Sequence, residues 1–557
     1  MLFSLFSQVV KPTLLSKARY ATCLLLILAA TLRGDLPLPA VEELTLEEKV
    51  GQLLMVHFRG HDLSEEVERL IHEAHVGGVI YYQWANDLST PSQIKSLSTH
   101  LQQSASSKEH PIPLLIATDQ EGGVVNRITN GVTVFPGNFA LGQTNEPQLA
   151  EESAYAMACE LLTIGINMNL APVVDVHSNP FNPIIGIRAF SSDPKEVARF
   201  GSKALAGYQR AHMVATLKHF PGHGDVKLDS HETLPTVYKS IEELEEIELL
   251  PFQVLASKTP VIMTAHLMVP ALDPTACTTF SRSTIEGLLR GQMGYEGVIL
   301  TDSLVMQGLL EQCDSIEEAA LRSLQAGHDL LLLGGKQLFN HQIGFELNCE
   351  DILRIHRFLV EAVKQGLLTE ERVDASVKRL LNLKKTYRLF ETGEEEEAVE
   401  LSSEENRQLA KKIAQIAIQT IQGSYPLPDQ DQSFALILPD VLREEIERTD
   451  WLTIGKQVKP LFFKNLNPSE SESEHILAEC ETADICIFFS YNGWRYVKQL
   501  DLFHAIQNNC PQTVALVVRD PKDALLLSHS ERLLCTFSPS AYSLQAAKNQ
   551  LFGGDGE

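Results

Sequence analysis

The sequence predicts an α/β protein: a (β/α) barrel followed by a smaller α/β domain. Two observations carry the barrel. From about Ala40 to Tyr387, short apolar runs alternate with amphipathic helical stretches, the pattern of repeated strand–helix units. Polar residues also stand at or just past the C-terminal ends of several of these runs, namely Asp119, Asp175, His219, His266 and Asp302. A doubly wound sheet would gather such residues at one switch point. A barrel collects them from many strand ends onto one face.

The strand candidates, in order, are Val76–Tyr82, Leu114–Ala117, Met168–Val174, Val214–Leu217, Val261–Ala265, Val298–Leu300 and Leu330–Leu333. Among them lie helical stretches such as Glu151–Thr163, Pro194–Ala211, Ser283–Met293 and Ser315–Ala326. Then comes Glu391–Glu400, with consecutive glutamates from Glu394 to Glu397 beside Gly393. This reads as a solvated linker. Beyond it, Ser402–Ile421 reads as a helix, and Phe434–Leu438, Ile485–Phe489 and Val514–Val518 read as strands. The expected division is a leader-like segment at 1–34, a barrel at 35–392, a linker at 393–401 and a second domain at 402–557.

The chain has 557 residues, 46 Lys plus Arg against 72 Asp plus Glu, and a formal charge of −26. So acidic a balance argues against nucleic acid, which needs clustered cations to neutralise phosphates. Hydrophobic content of 44% is ordinary for a globular chain and argues against a many-pass membrane protein. The nine cysteines are scattered and form no C-x-x-C pair, so neither a disulfide framework nor a zinc site is expected. Lys11, Lys17 and Arg19 precede an apolar run from Ala21 to Leu32. That run is shorter than the ~20 residues that span a bilayer and reads as a secretory signal, with an uncleaved anchor or a cytosolic N-terminus as alternatives. An exported protein is therefore the expectation, with membrane association only through residues 1–34. The free cysteines weigh the other way, toward a reducing compartment.

Three stretches can carry chemistry. The densest is Lys218-His219-Phe220-Pro221-Gly222-His223-Gly224-Asp225, followed by Asp229-Ser230-His231. His219 and His223 have the spacing of a metal-binding helix, but Pro221, Gly222 and Gly224 argue against a helix. The composition suits a loop whose backbone approaches a ligand. In an extended segment Asp229 and His231 face one side, where the carboxylate can orient an imidazole that gives and takes a proton near neutrality. The second stretch is Leu300-Thr301-Asp302-Ser303-Leu304. Asp302 is either a nucleophile toward an anomeric carbon or the cap of the next helix. The third is Asp119-Gln120-Glu121-Gly122-Gly123 with Arg127, where the glycines permit close packing or close ligand approach. Gly334-Gly335-Lys336 lacks the spacing of a phosphate loop and is set aside.

Together these pieces resemble glycoside hydrolase family 3, in its branch of bacterial β-N-acetylglucosaminidases that trim peptidoglycan fragments. The resemblance runs from about Leu44 to Phe390, through IATDQEGGVVNRI, LAPVVDVHSNP, GIRAFSSDP, KHFPGHGDVKLDSHETLP, MTAHLMVPALDP, GYEGVILTDSLVM and RVDASVKRLLNLKKTYRLF. It implies a (β/α)8 barrel, a second domain of the α/β sandwich type and a retaining two-step mechanism. By resemblance Asp302 matches the nucleophile, His231 the general acid/base and Asp229 its orienting partner. Asp119, Arg127, Arg188, Lys218 and His219 match residues that hold the sugar hydroxyls and N-acetyl group. No metal or cofactor is implied. Val124 and Val226 stand where the family often has Arg and Thr; neither change removes a catalytic group. The cations converging on the site suggest that it is locally basic.

Three functions follow as expectations. The first is exo-hydrolysis of terminal β-linked N-acetylglucosamine. The second is phosphorolysis at the same site, since a histidine acid/base tolerates an anionic acceptor. The third is a non-catalytic glycan-binding protein of the cell wall.

Overall fold

The structure is a computed structural model. It describes all residues except 1–35, 229–232, 337, 340–341, 344–345, 392–398, 428–431, 511 and 554–557. The leader-like segment, most of the acidic linker and the Asp229–His231 pair lie outside the described residues.

The barrel strands are β1 (Leu54–Val56), β2 (Gly78–Ile80), β3 (Leu115–Thr118), β4 (Met168–Asn169), β5 (Val214–Phe220), β6 (Val261–Thr264), β7 (Val298–Thr301) and β8 (Leu331–Leu333). They form one parallel eight-stranded sheet in the order β8-β1-β2-β3-β4-β5-β6-β7. A parallel bridge between Leu300 and Leu330 closes it. The strand residues of β1, β2, β3, β5, β6, β7 and β8 are all buried. That fits strands covered by side chains within and helices without. β1 is the strand that sequence periodicity does not reveal. It lies one residue after the helix Leu46–Gln52, so its apolar residues read as a continuation of that helix.

The expected helices are present with small end shifts. α1 spans Pro147–Thr163 and α2 spans Pro194–Arg210. Each has proline in its first turn, where a missing N–H costs nothing. Further helices cover Ser283–Gln292 and Ile316–Ala326.

In the second domain, α3 is Glu404–Ala417, and the remainder of the predicted helix becomes strand β9 (Gln419–Gln422). The other strands are β10 (Ser433–Pro439), β11 (Gln457–Phe463), β12 (Ile485–Ser490), β13 (Thr513–Val517) and β14 (Leu533–Cys535). Their order is β9-β14-β13-β12-β10-β11, with β9 antiparallel to β14 and the other pairs parallel. Alternate residues of β12 feed two apolar layers. Cys486 and Phe488 pack with α4 (Glu470–Cys480) and α5 (Lys498–Asn509), whereas Ile485, Ile487 and Phe489 pack with α6 (Ala541–Phe552). This is a helix–sheet–helix sandwich.

Two seams join the domains. Ala410 and Ile413 of α3 belong to the barrel's apolar core, and Phe139 and Ile187 of the barrel belong to the second domain's core. Buried Glu160 of α1 accepts from Thr133 N, Thr133 Oγ1, Ser402 N and Asn406 Nδ2 at 2.6–3.0 Å. A buried carboxylate is tolerated when its lone pairs are filled in this way.

Candidate active site

At the C-terminal ends of the barrel strands lies a cavity of about 430 Å³, lined among others by Asp119, Glu121, Arg127, Arg188, Lys218, His219 and Asp302. A larger cavity of about 860 Å³ sits between the 129–134 segment and α6. Its charges, such as Lys548 with Asp450 and Arg448 with Glu445, are surface ion pairs, so we place the chemistry in the smaller one.

The floor of the smaller cavity is a charge network. Lys218, projecting from β5, binds Asp119 Oδ1 at 2.8 Å and Glu121 Oε1 at 2.7 Å. Arg188 grips Glu121 with two parallel bonds of 2.9 and 2.8 Å, the fork geometry that suits guanidinium and carboxylate. Arg127 reaches Asp119 Oδ2 at 3.4 Å. Burial alone would raise the pKa of Glu121, but the Arg188 and Lys218 charges outweigh it and bring the group down to about 2. Asp119 is lowered in the same way, burial being overcome by Lys218 and Arg127.

Behind this floor, Asp175 staples the histidine loop. Its Oδ1 accepts from His219 N at 3.2 Å and His223 N at 2.7 Å, and its Oδ2 meets His219 Nδ1 at 2.6 Å. His219 Nε2 faces Arg188 Nη2 at 3.4 Å. A guanidinium can only donate, so Nε2 accepts and Nδ1 carries the proton. Burial, with His219 nearby, lowers the pKa of His223 to about 4. Gly222 and Gly224 are required by protein packing. A Cβ on Gly224 would lie 1.6 Å from Val176 O, and Gly222 has φ 128° against Glu248.

Asp302 follows β7 directly and lines the cavity half-buried. Its Oδ1 accepts from Ser303 N at 2.7 Å, and its own N donates to Thr264 O at 3.0 Å. The next helix, Gln307–Leu310, is preceded by Met306, so Asp302 is not its cap. His266 fixes this turn from below, with Nε2 donating to Ser303 O at 2.9 Å and Nδ1 meeting Thr279 Oγ1 at 2.6 Å.

The wall is aromatic. Tyr82 and Trp84 stack at 5.4 Å and 17°, and Lys336 Nζ lies 4.0 Å from the Trp84 ring. The Gly334-Gly335-Lys336 run set aside as a phosphate loop therefore does reach the cavity, in another capacity.

Residues 45–383 match the family pattern described as the glycosyl hydrolase family 3 N terminal domain. The chain belongs to that family. A β-hexosaminidase A of Pseudoalteromonas piscicida is 33% identical over 435 residues, covering 71% of each chain. A β-hexosaminidase of Tolumonas auensis is 38% identical over 283 residues, covering 50% of this chain and 81% of its own. Among solved structures, a family 3 β-N-acetylglucosaminidase from Paenibacillus sp. str. FPU-7 superposes with a TM-score of 0.83 at 34% identity, covering 92% of this chain and 97% of that one.

In this family 3 chain the cavity brings together Asp302, Asp119, Arg127, Arg188, Lys218 and His219. Asp229 and His231 lie outside the described residues. Sequence reasoning placed Glu121 in a candidate stretch and Asp175 at a strand end but gave neither a role in the site, and both are strongly tied into it. The cavity sets Asp119, Glu121 and Asp302 beside Arg127, Arg188, Lys218 and Lys336, so cations outnumber carboxylates by one and most of them are paired.

A barrel segment beside the cavity links the histidine loop to the second domain. Asn182 Nδ2 donates to His223 O at 2.7 Å and Gly224 O at 2.9 Å, and Asn179 Nδ2 donates to Val226 O at 3.1 Å. Between these asparagines Phe181 packs edge-on against Trp494 of the second domain, with Lys522 Nζ 2.7 Å from the Phe181 ring centroid and 4.3 Å from that of Trp494. The second domain thus braces the segment that holds both Arg188 and the histidine loop.

Proposed function

We propose that the protein is a retaining exo-β-N-acetylhexosaminidase that removes terminal β-linked N-acetylglucosamine from a carbohydrate, through a covalent glycosyl–Asp302 intermediate. The observation that carries the reading is the pairing of the other cavity carboxylates. A general acid must hold a proton at the working pH. Asp119 and Glu121 are held ionised by Lys218, Arg127 and Arg188, so they bind rather than donate. His223 is deprotonated near neutrality. The acid is then expected from the Asp229-Ser230-His231 segment, which follows the histidine loop.

In this mechanism Asp302 attacks the anomeric carbon while His231 gives its proton to the departing glycosidic oxygen. His231 next takes a proton from water, which attacks the glycosyl ester and frees Asp302. Asp229 orients the imidazole. Asp119, Lys218, Arg127 and Arg188 supply donors and acceptors for hydroxyl and N-acetyl groups, and Tyr82 with Trp84 offers an apolar wall to a pyranose face. The resemblance of the family motifs supports peptidoglycan fragments as the natural substrate. The Lys11–Leu32 segment supports export.

The test compares aryl β-N-acetylglucosaminide with aryl β-glucoside, each with and without phosphate. Rapid release from the first alone, giving free sugar, is expected. Sugar-1-phosphate in phosphate buffer would replace the hydrolase by a phosphorylase, and binding without turnover would leave a glycan-binding protein. Cell fractionation tests export; activity confined to the cytosol would refute it.

A further inference from the structure

The fold assembles a second site that no catalytic step uses. Cys480 is the last residue of α4, Cys486 is the second residue of β12 and Cys510 directly follows α5. Their sulfur atoms all lie within 4.8 Å of one another, with two side chains buried and Cys510 half-buried. All three are free thiols. We infer that Cys480, Cys486 and Cys510 form a seat for one thiophilic d10 cation, of the class of Zn2+, Cd2+ or Cu+.

Three features support a cation here. Metal–sulfur bonds of about 2.3 Å place the sulfurs of a trigonal set about 4 Å apart, so closing the observed triangle needs shifts under about 1 Å. The ligand type is right, since thiolates select soft ions over the hard ones that carboxylates hold. The surroundings also favour positive charge. Two helices of 11 and 12 residues end at the cluster, and helix C-termini carry partial negative charge. Cys486 Sγ lies 3.7 Å from one of those last carbonyls, Cys480 O.

Among the described residues no His, Asp or Glu joins the three sulfurs in this group, so the protein offers three ligands. The half-buried Cys510 side leaves room for a water as the fourth in the Zn2+ case. Binding releases the proton of each thiol that ligates. The cluster sits at the N-terminal end of β12, whereas Trp494, which packs on the barrel, lies beyond its C-terminal end. A bound ion would therefore pin two helices to the sheet without touching the catalytic cavity.

The experiment uses the full chain, reduced and stripped with a chelator, then titrated with Cd2+ alone and Zn2+ alone. One Cd2+ per chain should raise a sulfur-to-metal charge-transfer band. Cys510→Ala should weaken binding more than about tenfold, since even loss of an outer-shell partner costs 10–100-fold. Cys313→Ala, at a half-buried thiol elsewhere, should leave it unchanged, and both variants should keep basal turnover. A readout that needs no variant is alkylation: Zn2+ should protect Cys510 but not Cys313. The proposal fails if Cd2+ gives no band, if Cys510→Ala binds as tightly as the parent, or if Cys510 alkylates equally fast with and without Zn2+.

Discussion

Among the described residues a buried charge network lies at each end of the barrel, and the two differ in a way that separates function from structure. At the N-terminal end Asp329 precedes β8 and is fully buried. Its Oδ2 accepts from Arg290 and from Ile299 N, and its Oδ1 accepts from Ser376 Oγ and Arg379 at 2.6 and 3.0 Å. The carboxylate is sealed by the helices Ser283–Gln292 and Glu370–Thr386. At the C-terminal end Asp119 and Glu121 are paired by the same kind of bonds, but Asp119 and Arg127 remain partly open to a cavity. Similar ion pairs thus pin helices at one end and present donors and acceptors to a ligand at the other. The difference lies in what is left uncovered, and in a barrel the C-terminal face is where loops leave space.

That contrast can be broken deliberately. The largest effect is expected from Asp302→Ala, with kcat falling by about 10⁴-fold or more and the thermal midpoint little changed. His231→Ala should slow poor leaving groups strongly yet spare the first step with activated aryl leaving groups. Lys218→Met strands Asp119 beside Glu121, and breaking such a buried pair costs about 3–5 kcal/mol. Both activity and stability should drop, and steady-state kinetics beside calorimetry would show it. Asp329→Asn should cost a similar ~3–5 kcal/mol of stability while leaving kcat per folded molecule unchanged at low temperature. Equal losses of kcat in Asp329→Asn and Lys218→Met would erase the distinction between the two ends.

A subtler comparison uses acid. The folded pKa of Glu121 is lowered from 4.5 to about 2, so its ionised form favours the folded state. That contribution is complete above about pH 4.5 and is lost as pH falls toward 2. The thermal midpoint of the parent should therefore fall more steeply over this interval than that of Glu121→Gln. The smallest effect is expected for Lys522→Ala, which loosens the Phe181 brace. Its loss, about two- to fivefold in kcat/KM, corresponds to the ~0.5–1 kcal/mol of an exposed cation–aromatic contact.

Much of this was legible in the sequence. The position of a polar residue relative to its strand already separates the two ends: Asp119, His219 and Asp302 come at or after strand ends, whereas Asp329 comes before one. Strand periodicity, apolar runs and the family motifs located the barrel, the second domain and, in the cavity, Asp119, Arg127, Arg188, Lys218, His219 and Asp302. β1 escaped because three apolar residues behind a helix carry no period of their own. The tail of the predicted 402–421 helix became β9 because pairing with β14 outweighed local propensity.

What the sequence determined, then, is the order of elements and which side chains stand at the active face, because both depend on residues close together in the chain. Tertiary structure alone decided that Glu121 is clamped by Arg188 and Lys218, that Phe181 meets Trp494 and Lys522 across the domain seam, and that three scattered cysteines converge. Such contacts join residues far apart in sequence. They are set by how helices and sheets pack once their apolar faces are buried, and no local spacing encodes them.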